Sequence, residues 1–108
     1  MTREITESDW KVFRQLRPVA LNRYCERALA DFVALAADTG KGAHARYQEL
    51  FDLMERRDKE LVETFDFLRR STAIIQLIAI RHRGLLTDEE FARFSPELRD
   101  VVHAILSR

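Results

Sequence analysis

The side chains able to do chemistry are few and scattered. Three histidines occur, His44, His82 and His103. A catalytic zinc centre needs three converging protein ligands, usually with two of them one helical turn apart. Asp100 and His103 have that spacing, but no second His or Cys lies near them, and the Glu-x-x-His pattern of di-iron bundles is absent. His44 stands near an expected helix start and His82 between two arginines, both positions expected to be wet. No metal ligand set and no cofactor is expected. Cys25, flanked by Tyr24 and Glu26, shows no cysteine-enzyme pattern and continues the apolar stripe from Leu21 to Leu29. It reads as a small core hydrophobe rather than a nucleophile. Gly40-Lys41-Gly42 lacks both the spacing and the preceding strand of a phosphate-cradling loop. The chain is therefore expected to be no enzyme, with no catalytic residues.

Charge is balanced in total and uneven in place. Eighteen basic and eighteen acidic residues cancel. Residues 11–27 and 69–83 are each basic, residues 28–68 are acidic, and both ends are mildly acidic. Segments of opposite sign most simply neutralise one another within the fold or across an oligomer. Arg outnumbers Lys fifteen to three, a bias that phosphate recognition uses and that GC-rich bacterial coding also produces. The second origin is the plainer one, and the chain reads as bacterial. Arg69, Arg70, Arg81 and Arg83 are the best candidates for a nucleic-acid face. The neutral total and the lack of a DNA-reading motif weigh against that reading.

These groups must be positioned by helices. A length of 108 residues suits one domain spanning 1–108. Apolar residues make up 46% of the chain, enough for a core without metal or disulfide staples. Three Gly and two Pro are too few for a turn-rich β-fold. A lone cysteine fits a reducing, cytoplasmic setting. The apolar run from Ala73 to Ile80 is broken by Gln76 and is far shorter than the ~20 residues a spanning helix needs, so no membrane association is expected.

The apolar period is helical throughout. Thr6, followed three residues later by Asp9, resembles a capping box opening a short helix through Leu16, with Trp10, Phe13 and Leu16 on one face. Pro18 is expected to end or kink that helix and to start a second, running to about Ala37. Gly40-Lys41-Gly42 is the clearest break. The spacing then predicts the longest helix over about 43–68, with Tyr47, Phe51, Met54, Leu61, Phe65 and Leu68 in a stripe and Asp58 filling its one missing place. Ser71 or Thr72 can cap a helix through Arg83 that is apolar on nearly every side, and Gly84 can close it. Thr87-Asp88-Glu89-Glu90 is a full capping box, and Ser95-Pro96 starts the last helix. The expected fold is all-α, a compact helical bundle of five or six helices.

Asp58 interrupts an apolar seam. An unpaired buried carboxylate would cost several kcal/mol, so it must be solvated, neutral or paired with a base. Either the helix overhangs the bundle and Asp58 is wet, or it meets Arg23, Arg27 or Arg81 within the chain or across a dimer.

Gly84-Leu85-Leu86-Thr87-Asp88-Glu89-Glu90-Phe91 resembles the short C-terminal helical segments of the SHOCT type, which implies a role in oligomerisation. The chain departs from that pattern by continuing through Ser95-Pro96 into a further apolar helix.

The expected function is a non-enzymatic protein–protein interaction or self-association module, its partner a protein, with a homodimer as one form. The contact residues are Trp10, Phe13, Tyr47, Phe51, Met54 and Asp58, with ordinary core or rim placement as their competing reading. A nucleic-acid-binding regulator using Arg69, Arg70, Arg81 and Arg83 comes second. A small-ligand-binding protein or an enzyme comes third, and a pocket joining Tyr24, Cys25 and His44 would revive it.

Overall fold

The computed structural model describes residues 4–108, and every regular element among them is helical. In chain order these are α1 (Glu7–Ala36), α2 (Ala43–Phe65), a single 3-10 turn (Arg70–Thr72), α3 (Ala73–His82), α4 (Asp88–Phe91) and α5 (Pro96–Leu106). The chain is all-α, as its apolar period requires. No helix among the described residues is long and apolar enough to cross a membrane. The residues group into two compact units: one holds the chain up to Leu21 together with Phe67–Arg108, the other holds Asn22–Asp66.

The longest helix is α1, not the one expected over 43–68. Its start follows the Thr6 signal, with the Asp9 amide donating to Thr6 Oγ1 at 3.2 Å. Pro18 does not end it: 30 residues from Glu7 to Ala36 form one helix with Pro18 inside. An interior proline removes one hydrogen bond and costs about 3 kcal/mol or more in isolation. Burial of Phe13 and Leu16 before it and Ala20 after it offsets that loss. Pro18 and Arg14 are exposed, so the carbonyl four residues back can turn to water.

The first unit carries the larger core. Ile5, Phe13, Leu16 and Ala20 are buried, as are Ala73, Leu77, Ile80, Leu85, Leu86, Phe91, Phe94, Leu98 and Val102. The helix α3 is less uniformly enclosed than its composition suggests, because Ile75 is exposed while Gln76 is buried. Gln76 is satisfied there, accepting from Arg17 Nε at 3.3 Å and donating to the Phe67 carbonyl at 3.0 Å. Thr72 precedes α3 without capping it, since its hydroxyl donates to the Phe67 and Arg69 carbonyls instead. Gly84 closes α3 at φ 67°, donating to the Arg81 carbonyl, while Leu85 donates to that of Ile80. That pair of bonds is a Schellman stop, which the absent Cβ of glycine permits. The Thr87 box forms in full, Thr87 Oγ1 accepting from Glu90 and the Glu90 carboxylate accepting from the Thr87 amide.

The second unit is a helical hairpin built from the later half of α1 and from α2. Tyr24, Ala28, Leu53 and Phe65 are its buried apolar residues. The Tyr24 ring tilts against Phe65 with centroids 6.2 Å apart. Its hydroxyl lies 2.8 Å from both the Arg57 carbonyl and Glu60 Oε2, ending the close approach of the helices on a polar contact. Arg57 also pairs with Asp31 at 3.6 Å. In the turn, Lys41 Nζ binds Glu49 at 2.6 Å, and this contact raises the lysine above its usual range. Helix α2 stops at Phe65 rather than Leu68, because Asp66 turns extended and Phe67 adopts φ 59°.

Candidate functional site

The hairpin unit leaves one apolar face open. On α1 the side chains facing α2 recur through Tyr24, Ala28 and Leu35, and the next column, Cys25, Leu29 and Phe32, flanks the seam. On α2 the inward column is Leu53, Arg57 and Glu60, and its flank is Phe51, Met54, Asp58 and Leu61. The two flanks border an open groove of about 590 Å³, which Tyr24, Cys25, Ala28, Leu29, Phe32, Phe51, Met54, Glu55, Arg57, Asp58 and Leu61 line. Leu29 is 59% exposed, Phe51 56% and Met54 50%, and Tyr47, one turn before Phe51, is 72% exposed. Scattered exposed hydrophobics are ordinary, whereas Leu29, Phe51 and Met54 adjoin one groove with Glu55 and Asp58 in its lining.

Four of the six residues read from sequence as contacts fall on this unit. Tyr47, Phe51, Met54 and Asp58 share one stripe of α2, and all four are exposed. Asp58 is exposed, the first of the two alternatives read from sequence, so it carries no burial penalty within the chain and the alternative bond to Arg23, Arg27 or Arg81 is not needed to hold it. Trp10 and Phe13 belong to the other unit, where their rings stack at 6.0 Å. Phe13 is 1% exposed there and is a core residue, while Trp10 is half-buried beneath Arg14, whose guanidinium lies 5.3 Å from the ring.

All four basic candidates belong to the first unit, Arg69 and Arg70 before the start of α3 and Arg81 and Arg83 at its end. Arg70 binds Glu7 at 2.8 Å and the Ile5 carbonyl at 3.4 Å. Arg81 binds Asp88 at 2.6 Å and the Leu86 carbonyl at 2.9 Å, and lies 4.6 Å over the Phe91 ring. Arg69 lies 5.6 Å from the Phe67 ring, and Arg83 is half-buried. Two of the four guanidinium groups are thus spent in tying helix ends.

The groove brings Tyr24 and Cys25 together but does not include His44, which is exposed at the start of α2. Among the described residues no group of three or more His, Cys, Asp and Glu side chains is placed to hold a metal ion. Leu29, Phe32 and Leu61 stand in the apolar stripes read from sequence but not among the contact residues drawn from them. The signal that separates them from core is the thinness of a two-helix unit, which has no third layer to cover its flank.

Comparison of the chain with family models, curated proteins and solved structures finds no match, so the likeness of Gly84–Phe91 to SHOCT segments has no family match behind it.

Proposed function

We propose that this chain is a non-enzymatic protein–protein interaction module, and that the open face of the α1–α2 hairpin is its contact surface. The single observation that carries the reading is the exposure of Leu29, Phe51 and Met54 on one apolar groove, with exposed Tyr47 one helical turn before Phe51. Aromatic residues and Met are the types that protein interfaces concentrate, and Glu55 and Asp58 supply the polar rim. A cytoplasmic setting suits the free thiol of Cys25 on the groove wall.

The same groove has a volume within the ~300–1,000 Å³ of small-molecule sites, and this supports apolar ligand binding as a second reading. Its open form favours a protein surface over a small molecule. The nucleic-acid reading is weaker, because Arg70 and Arg81 already serve internal partners.

A photo-crosslinking residue in place of Met54 tests the proposal in cells, with one in place of the exposed Glu63 as control. Discrete protein adducts at position 54 and none at 63 are expected. Absence of protein adducts at 54, or the same pattern at both positions, would overturn the reading.

A further inference from the structure

We infer that the occupant of this face is a second copy of the chain, with the two α2 helices packed antiparallel about a two-fold axis near Asp52 and Leu53. The inference rests on the interaction reading above and adds the partner, the register and a specific polar pair.

The exposed part of the stripe on α2, from Tyr47 to Asp58, is self-complementary, and Leu61, half-buried at the next place, lies outside it. Tyr47, Phe51, Met54 and Asp58 are separated by four, three and four residues, a sequence of intervals that reads the same in both directions. Turned antiparallel about its midpoint, the stripe sets Phe51 against the partner's Met54 and Tyr47 against the partner's Asp58. Each contact occurs twice, as an isologous interface requires. The central pairs are apolar, with an aromatic ring against a thioether, a favourable combination.

Charge decides the direction. A parallel pairing in register would oppose Asp58 to the partner's Asp58 inside an apolar seam, two like charges losing water together. The antiparallel pairing gives each Asp58 carboxylate a phenol hydroxyl to accept from, a charge-assisted hydrogen bond. Within one chain these groups cannot meet, since eleven residues of helix hold Tyr47 and Asp58 about 16 Å apart. The polar residue that interrupts the stripe is thereby given a partner, and a polar group in such a seam fixes register.

The area is also of the right order. Leu29, Tyr47, Phe51 and Met54 alone leave on the order of 500 Å² of side-chain surface open per copy, and the half-exposed groove walls extend it toward the ~800 Å² per partner of a standard interface. Two hairpins joined on this face would make a four-helix core, the layer each lacks alone.

The test is a charge exchange read by sedimentation equilibrium on the full chain. Tyr47→Glu faces the partner's Asp58 with a like charge and is expected to weaken the dimer about tenfold or more. Adding Asp58→Lys to that variant restores an attractive pair and is expected to recover most of the affinity. Both positions are exposed in the single chain, and circular dichroism should show unchanged helicity. An independent readout mixes Phe51→Cys with Met54→Cys, each in a Cys25→Ser background, and the mixed disulfide is expected to outweigh either symmetric one. A dimer that Tyr47→Glu weakens but Asp58→Lys does not rescue would overturn the antiparallel register. A wild-type chain that is monomeric would overturn self-association; protein adducts at position 54 to a different protein would then leave the interaction reading standing.

Discussion

Asp9, in the first turn of α1, holds Ser95, the residue that caps α5, by both of its carboxylate oxygens. Oδ1 accepts from the Ser95 amide at 2.8 Å and Oδ2 from the Ser95 hydroxyl at 2.6 Å. The Ser95 hydroxyl in turn accepts from the Leu98 amide at 3.3 Å. Asp9 is 3% exposed, so these bonds stand in for the water it has lost. Hydrogen bonds to a charged group are worth about 1.5–3 kcal/mol each, and loss of the carboxylate also leaves the half-buried Ser95 amide and hydroxyl without it. Asp9→Ala should cost about 2–4 kcal/mol by urea unfolding, Ser95→Ala about 1–2 kcal/mol. Their double variant should cost less than the sum, because both remove one shared network.

Among the described residues Gly84 and Phe67 have positive φ, and they should respond in opposite ways. Gly84 needs no Cβ at φ 67°, so Gly84→Ala should destabilise the chain by about 1–2 kcal/mol. Phe67 stands at φ 59° with an exposed ring, and its carbonyl is held by Thr72 and Gln76. Phe67→Gly relieves that conformation while loosening the unfolded chain, and should leave the urea midpoint unchanged or slightly raised.

Pro18→Ala should stabilise the chain by about 1–3 kcal/mol, since it restores an amide donor to the interior of α1 and removes a ring clash. Thermal unfolding followed at a helical wavelength would show it as a raised midpoint. A lowered midpoint would mean that the proline is required rather than tolerated.

Local signals were legible in the sequence, and long-range ones were not. The Thr87 box, the Ser95 cap and the Gly84 stop each depend on residues a few positions apart, and each forms as its spacing requires. Pro18 misled because its penalty is local, while the burial of Phe13, Leu16 and Ala20 that overrides it is tertiary. The helix boundary near Leu68 failed for a related reason: apolar period continued past Phe65, but Phe67 turned the backbone. The Asp9–Ser95 tie spans 86 residues and leaves no mark in spacing. The stripe of Tyr47, Phe51, Met54 and Asp58 could be read from period alone, its exposure could not, and Phe13 could not be told from core. Which apolar residues are left uncovered depends on how many layers pack over them, and periodicity is blind to that.

Tyr24→Phe separates the hairpin's own stability from its proposed contact surface. The variant loses the bond to Arg57 or Glu60 but keeps the ring against Phe65. It should cost about 1 kcal/mol in unfolding and leave association unchanged, because the hydroxyl points into the hairpin rather than out of it.

The solution mass by light scattering, at low and high salt and beside Phe51→Glu, tests the association face most directly. A mass twice the 12.7 kDa of the chain is expected at both salt concentrations, because the seam is mainly apolar. Phe51→Glu should return it to the mass of one chain with unchanged helicity. A wild-type mass of one chain at every concentration, or a dimer that Phe51→Glu leaves intact, would contradict self-association through this face.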